Sequence, residues 1–270
     1  MRLKERVLTS KVTFVAAMAL AMLASCDGDE TPVGQGNNGN GNGTEEFNRV
    51  PAIGDNYQVH KFDWKGMEPG EGGENQTWDF SVLPSKSETM NLEVRSMDNS
   101  DYKNEFAQAD FYTVNNFYGS RGLSDPGKNF HYFKVEDNKL IKLGRVDSMM
   151  ATNVLLNTFG DPETQLQYPL TYNSSSTDEF HGSFTSVGIP FTWDGTDSYT
   201  VDGTGTLNIL GKKIENVVRV KREREYLSDP IGQWTFTTYE WYKQGIAFPI
   251  LVLHQSQEVF EGYYMDASEL

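Results

Sequence analysis

Alternation with a period of two residues, recurring between clusters of turn-forming residues, is the feature that most narrows what this chain can fold into. Met90, Leu92 and Val94 alternate with polar neighbours, Phe130 and Tyr132 oppose His131, Phe133 and Val135, and Val218 and Val220 alternate with Arg219 and Lys221. Successive side chains of a strand point to opposite faces, so each run reads as a half-buried strand. Glu136-Asp137-Asn138, Asp194-Gly195 and Leu210-Gly211-Lys212 supply turn chemistry between such runs, and strands joined by loops that short are antiparallel neighbours. Helical spacing is scarce, and a mix of Thr, Tyr, Phe, Val and Trp punctuated by 25 Gly and 10 Pro favours strands. The expected architecture is mainly β, an antiparallel β-sandwich or a strongly curved β-sheet meander, forming a single all-β domain over residues 47–270.

The N-terminus has a different character. Arg2, Lys4, Arg6 and Lys11 precede an uncharged stretch from Val12 to Leu23, too short to span a bilayer but suited to the apolar region of a signal peptide. Leu23-Ala24-Ser25-Cys26 resembles the lipobox of bacterial lipoproteins, at which a peptidase cuts before a lipid-modified cysteine. The resemblance implies a signal peptide over residues 1–25 and lipid attachment at Cys26. One acyl chain holds a protein only marginally, so two or three on one cysteine make the attachment durable. Residues 26–46 are rich in Gly, Asn and acidic side chains with almost nothing to bury, which marks a disordered tether with a span of about 25 Å. The acidic start Asp27-Gly28-Asp29-Glu30 resembles surface-export signals of Bacteroidota lipoproteins, whereas Asp directly after the cysteine resembles an inner-membrane retention signal elsewhere. The expected address is the cell envelope, lipid-anchored, with the outer membrane favoured.

Composition removes several functions. Cys26 is the only cysteine, so once it is lipidated the mature chain has neither a disulfide nor thiolate chemistry nor a cysteine metal site. The formal charge is -15, and removing a leader with four basic residues and Glu5 leaves about -18, a charge that repels phosphate backbones and disfavours nucleic acid. No cofactor or metal is expected: Asp194, Asp197 and Asp202 miss the spacing of a calcium loop, and Asp202-Gly203-Thr204-Gly205 precedes no helix and so lacks the context of a phosphate-binding loop.

No catalytic residue is assigned. His60, His131, His181 and His254 are scattered, and neither His-Glu-x-x-His nor Gly-x-Ser-x-Gly occurs. Arg219, Lys221, Arg222 and Arg224 interleave with Glu223 and Glu225 and read as a self-compensating strand surface. The segment from Gln233 to Tyr242 carries rings on both faces, Trp234, Phe236 and Tyr242 on one, Tyr239 and Trp241 on the other. Either the strand is covered on both sides, or Tyr239 and Trp241 form an open face for binding a sugar ring or a lipid chain.

The stretches Asn75-Gln76-Thr77-Trp78-Asp79-Phe80-Ser81, Tyr168-Pro169-Leu170-Thr171-Tyr172, Gly205-Thr206-Leu207 with Val217-Val218-Arg219-Val220-Lys221, and Tyr239-Glu240-Trp241-Tyr242-Lys243-Gln244-Gly245-Ile246-Ala247-Phe248-Pro249-Ile250 resemble a group of uncharacterised Bacteroidota secreted proteins. Many of that group end in a type 9 sorting domain. Here Leu270 follows soon after the last strand and a lipobox stands instead, so lipoprotein sorting is the expected route. The resemblance implies a location and a β-rich fold, with no activity attached. The expected role is a noncatalytic binding or envelope-assembly domain whose partner is a glycan, a lipid or an envelope protein. Two alternatives stand beside it: a lipid carrier with an open half-barrel, and a carbohydrate-active enzyme, which needs two carboxylates about 5 to 10 Å apart in a cleft.

Overall fold

The computed structural model describes residues 47–118, 128–150, 153–186, 189–228, 232–257 and 259–270; the leader, Cys26 and the tether lie outside the described residues. Thirteen strands follow one another: β1 (Asn56–Asp63), β2 (Gly73–Phe80), β3 (Glu88–Ser96), β4 (Phe111–Tyr118), β5 (Lys128–Glu136), β6 (Lys139–Met150) and β7 (Asn153–Gln167), then β8 (Ser175–Ser186), β9 (Ile189–Ile209), β10 (Lys212–Ser228), β11 (Gly232–Lys243), β12 (Leu251–Ser256) and β13 (Val259–Met265). All except β2 pair antiparallel with their neighbours in the chain, and β1 pairs with β13 from Val59 opposite Met265 to Asp63 opposite Glu261. The result is a closed up-and-down barrel of twelve strands.

That corrects the expected sandwich or strongly curved sheet meander, while the mainly β, antiparallel character stands. A sandwich, an open sheet and a barrel share the same alternation along each strand. What separates them here is the pairing of the first strand with the last, which no local pattern encodes. The turns at Asp137-Asn138 and Leu210-Gly211 join β5 to β6 and β9 to β10, with positive φ at all four residues, 50°, 59°, 50° and 76°, as tight hairpins require. Asp194-Gly195 is a correction: it lies inside β9, and the glycine serves a ring instead of a turn. A Cβ at Gly195 would overlap Phe180, and one at Gly182 would overlap Trp193, so both glycines let aromatic rings lie flat against the inner wall.

β2 lies outside the ring of strands and runs parallel to the end of β9, from Gln76 opposite Gly205 to Phe80 opposite Ile209. It extends the wall where β8 stops, since β8 pairs with β9 only as far as Thr200. Period-two spacing gives Trp78 and Phe80 one face, and both meet Trp241 edge-on, with ring centroids 6.0 and 5.3 Å apart. Arg219 completes this outer layer. Its guanidinium binds both oxygens of Asp202 at 2.8 Å, donates to the carbonyls of Pro69 and Gly70, and lies over the rings of Trp78, Tyr239 and Trp241. Stacking, bidentate pairing and carbonyl contacts together fasten the segment before β2 to the barrel.

The close approach of Trp193 to Gly182 yields a paired prediction. Gly182→Ala should destabilise the protein by about 1 to 3 kcal/mol through overpacking, whereas Gly160→Ala, whose new methyl meets only His181 at an ordinary 3.7 Å, should cost much less. Urea unfolding midpoints of the two variants measure the difference.

Candidate functional site in the barrel lumen

The inward faces of the strands carry charge. On β10, Val218, Val220, Arg222 and Arg224 share one face, and both arginines are buried at 4% and 7% exposure, while Glu223 and Glu225 point outward. This corrects the reading of that run as a charged surface strand. The signal was in the spacing: both arginines keep the parity of Val218 and Val220, so they follow those valines inward.

Inside, four cations meet four carboxylates. Arg222 pairs with Asp197 on β9, lies 3.2 Å from Glu240 on β11, and donates to the Gln165 carbonyl at 2.8 Å. Arg224 pairs with Glu163 on β7 and reaches Asp197 at 3.4 Å. Arg145 and Asp147, both on β6, lie 3.1 Å apart. The fourth cation, Lys142, is 1% exposed and makes no ion pair among the described residues; its ammonium lies 5.7 Å from the centre of the Phe159 ring. Lys142 and Arg145 are three residues apart and would fall on opposite faces of a regular strand. A bulge between Lys142 and Gly144 turns both into the lumen.

Burial sets the protonation of this layer. It pulls the Lys142 ammonium from 10.5 down to about 7, against the opposing attraction of Glu163. Burial, reinforced by the Lys142, Arg145 and Arg224 cations, drives His131 well below the ordinary imidazole value, and His254 falls to about 4 chiefly for the same reason. Burial opposes the charge on Arg222, but Asp197 and Glu240 outweigh it and hold the guanidinium charged well above its usual range. Tyr242 donates to Glu240 at 2.8 Å, and burial pushes its hydroxyl well above the usual phenol range, so it stays a donor.

The layer is bounded on two sides. Phe159, Phe180, Trp193, Tyr226 and Phe236 form a chain of edge-on and tilted rings along the walls of β7 to β11. Toward the segment after β11, apolar Met90, Leu92, Phe133, Leu166 and Phe248 join Arg222 and Glu240 around a cavity of about 70 Å³, room for roughly two waters at the density of the liquid.

The residues singled out in the sequence are dispersed by this architecture. Trp241 is fully buried beneath Trp78 and Phe80, and Tyr239 is half-buried over Arg219, so the pair packs the wall against β2 and Trp241 offers no open stacking surface. His131 and His254 enter the lumen. His60 lies on the outer face between Asp266 at 2.7 Å and Thr89 at 2.9 Å, and that bond from His60, with two from Ser268, holds the Asp266 carboxyl well below the usual range. His181 is exposed beside Asp194 at 2.8 Å. Asp194, Asp197 and Asp202 point to His181, to Arg222 and to Arg219 respectively, and among the described residues no group of three or more His, Cys, Asp or Glu is arranged to hold a metal.

Two buried cations should respond in opposite ways to removal. Lys142→Met discards a charge with no ion pair and should stabilise the protein at neutral pH by a few kcal/mol, on the order of its displaced ionisation. The Lys142 value is lower in the folded chain than in the unfolded one. The unfolded chain therefore binds the extra proton between about 7 and 10.5, and wild-type stability climbs with pH across that window; the variant should lose that slope. Arg222→Leu instead leaves Glu240 with no cation and Asp197 with only the longer contact to Arg224, and should cost about 3 to 5 kcal/mol. Denaturant unfolding of both variants at neutral and alkaline pH separates the two.

No family model matches the chain, and no curated protein does, so neither comparison bears on the Bacteroidota group whose motifs it resembles. Among solved structures the chain is similar to that of the hypothetical lipoprotein YmcC from Escherichia coli K12, at 16% identity over 68% of this chain and 84% of that one. The TM-score is 0.32, a likeness too slight to inform the site.

Proposed function

We propose that this chain is a cell-envelope lipoprotein that presents a noncatalytic binding or envelope-assembly barrel, held at the membrane by acyl chains on Cys26. The observation that carries the reading is the polarity of the outer wall. Thr177, Glu179, Ser183 and Thr185 on β8 and Thr192, Asp194 and Thr196 on β9 are exposed and point outward. A barrel embedded in a bilayer needs an apolar band at those positions. This wall faces water, so attachment to a membrane falls to the lipid on Cys26 and the tether of residues 26–46. Among the described residues no helix is long and apolar enough to cross a membrane.

The lumen supports the noncatalytic part of the reading. Glu163, Asp197 and Glu240, the carboxylates it gathers from β7, β9 and β11, are each held by an arginine. A glycan, a lipid or an envelope protein is the partner class that suits such an address. A second reading, a lipid carrier, is favoured by the apolar lining of the cavity at Met90, Leu92, Phe133, Leu166 and Phe248, which is where an acyl chain would enter a widened barrel.

Metabolic labelling with a palmitate analogue should mark the wild-type chain and leave Cys26→Ser unmarked, with the variant moving to the soluble fraction. A variant that still fractionates with membranes would overturn the anchor. Stoichiometric phospholipid in the organic extract of the purified protein would move the reading to the carrier.

A further inference from the structure

The charged layer has an asymmetry that its ion pairs leave unresolved. Arg145, Arg222 and Arg224 each have a carboxylate partner, whereas the Lys142 ammonium has none among the described residues. Beside it, Thr113 Oγ1 and His131 Nε2 are buried without a hydrogen-bond partner, and their residues are 0% and 2% exposed. These three residues are neighbours on the inner wall. Thr113 on β4 sits opposite His131 on β5, and Lys142 on β6 sits opposite Phe133, two places along the same face from His131. Three polar groups from three adjacent strands thus share the inner wall beside the bulge, with His131 Nε2 a donor in its Nε2–H tautomer.

We infer that this part of the lumen is a binding site for a small oxyanion, a carboxylate or a phosphate, held by Thr113 Oγ1, His131 Nε2 and Lys142 Nζ. The inference rests on the reading of the barrel as a binding domain and names a ligand class for it. At His131 the charges that act are those of Lys142, Arg145 and Arg224, all cationic, while the carboxylates Glu163 and Asp147 act on Lys142 without pairing with it. Glu163 Oε2 and Asp147 Oδ1 are also buried without a hydrogen-bond partner, but their carboxylates already serve Arg224 and Arg145. A cation is a poorer fit, since no three of the described acids and histidines are arranged around one point. An oxyanion accepts from all three donors at once and gives the buried ammonium the partner that it lacks.

The test is a calorimetric and thermal titration of the full mature chain with inorganic phosphate and, separately, acetate, at constant ionic strength set with sodium chloride. A saturable heat and a saturable rise in melting temperature are expected for one of the two, and which one tells carboxylate from phosphate. Lys142→Met, which should fold with added stability, should abolish the response, and Thr113→Val should weaken binding about tenfold or more by removing one bond to a charged ligand. Absence of saturation with both anions, or an undiminished response in Lys142→Met, overturns the site. Either result is independent of where Cys26→Ser fractionates, so failure of the site and failure of the anchor are distinguishable.

Discussion

The pairing of β1 with β13 is the constraint from which the rest of the molecule follows. It joins the two ends of a twelve-strand meander, removes both free edges of the antiparallel wall and creates an inside. Without it, the same strands would form a curved sheet with one face to water, and the inward arginines of β10 would be ordinary exposed charges. With it, every second residue on every strand faces an enclosed volume that side chains must fill. The rings of β7 to β11 and the apolar residues from Met90 to Phe248 fill its two sides, and the charges lie between them.

A buried ionic layer is an expensive filler. Taking each ion out of water costs several kcal/mol after relaxation, and a well-packed apolar substitute is often at least as stable. What the layer provides is register. A one-residue slip of β10 past β9 would turn Arg222 and Arg224 outward and bring Lys221, Glu223 and Glu225 into the lumen, where Asp197 and Glu240 already sit. Two more acids beside those two would be strongly unfavourable. The correct pairing is therefore separated from its nearest competitor by charge as well as by packing, which matters in a barrel whose β8 and β9 walls are largely Ser, Thr and Asp on the outside and offer little shape to lock.

Much of the local structure was legible in the sequence, and the limits were physical. The alternation of Met90, Leu92 and Val94, the hairpin residues Asp137-Asn138 and Leu210-Gly211, and the shared face of Trp78 and Phe80 all read correctly, because each depends on neighbours within a few residues. Closure did not, since strands at opposite ends of the domain carry no mark of each other. Gly195 looked like a turn because a glycine after an aspartate has the same composition whether it bends the chain or makes way for Phe180. The lumen was half visible. The parity of Arg222 and Arg224 with Val218 and Val220 was there to turn them inward, yet the run reads as a charged surface strand until the carboxylates of β7, β9 and β11 are known to lie opposite. Lys142 beside Arg145 was hidden outright, because only the bulge puts residues three apart on one face.

The balance inside the barrel also bears on its outside. Lys142, Arg145, Arg222 and Arg224 equal Asp147, Glu163, Asp197 and Glu240 in number, though Lys142 pairs with none of them, so these eight groups add no net charge when Lys142 is protonated. Residues 47–270 have a formal charge of -13, about -18 without the leader less the five acids of residues 26–46, and nearly all of it lies outside the lumen. A domain so charged is repelled by anionic headgroups within about 8 Å at physiological ionic strength, the distance over which salt leaves the field intact. The expected tether, with its span of about 25 Å, is three times that distance. On the proposed reading the geometry is self-consistent: lipid on Cys26 would supply attachment, the surface charge would hold the barrel off the bilayer, and the linker would be long enough to let both operate at once.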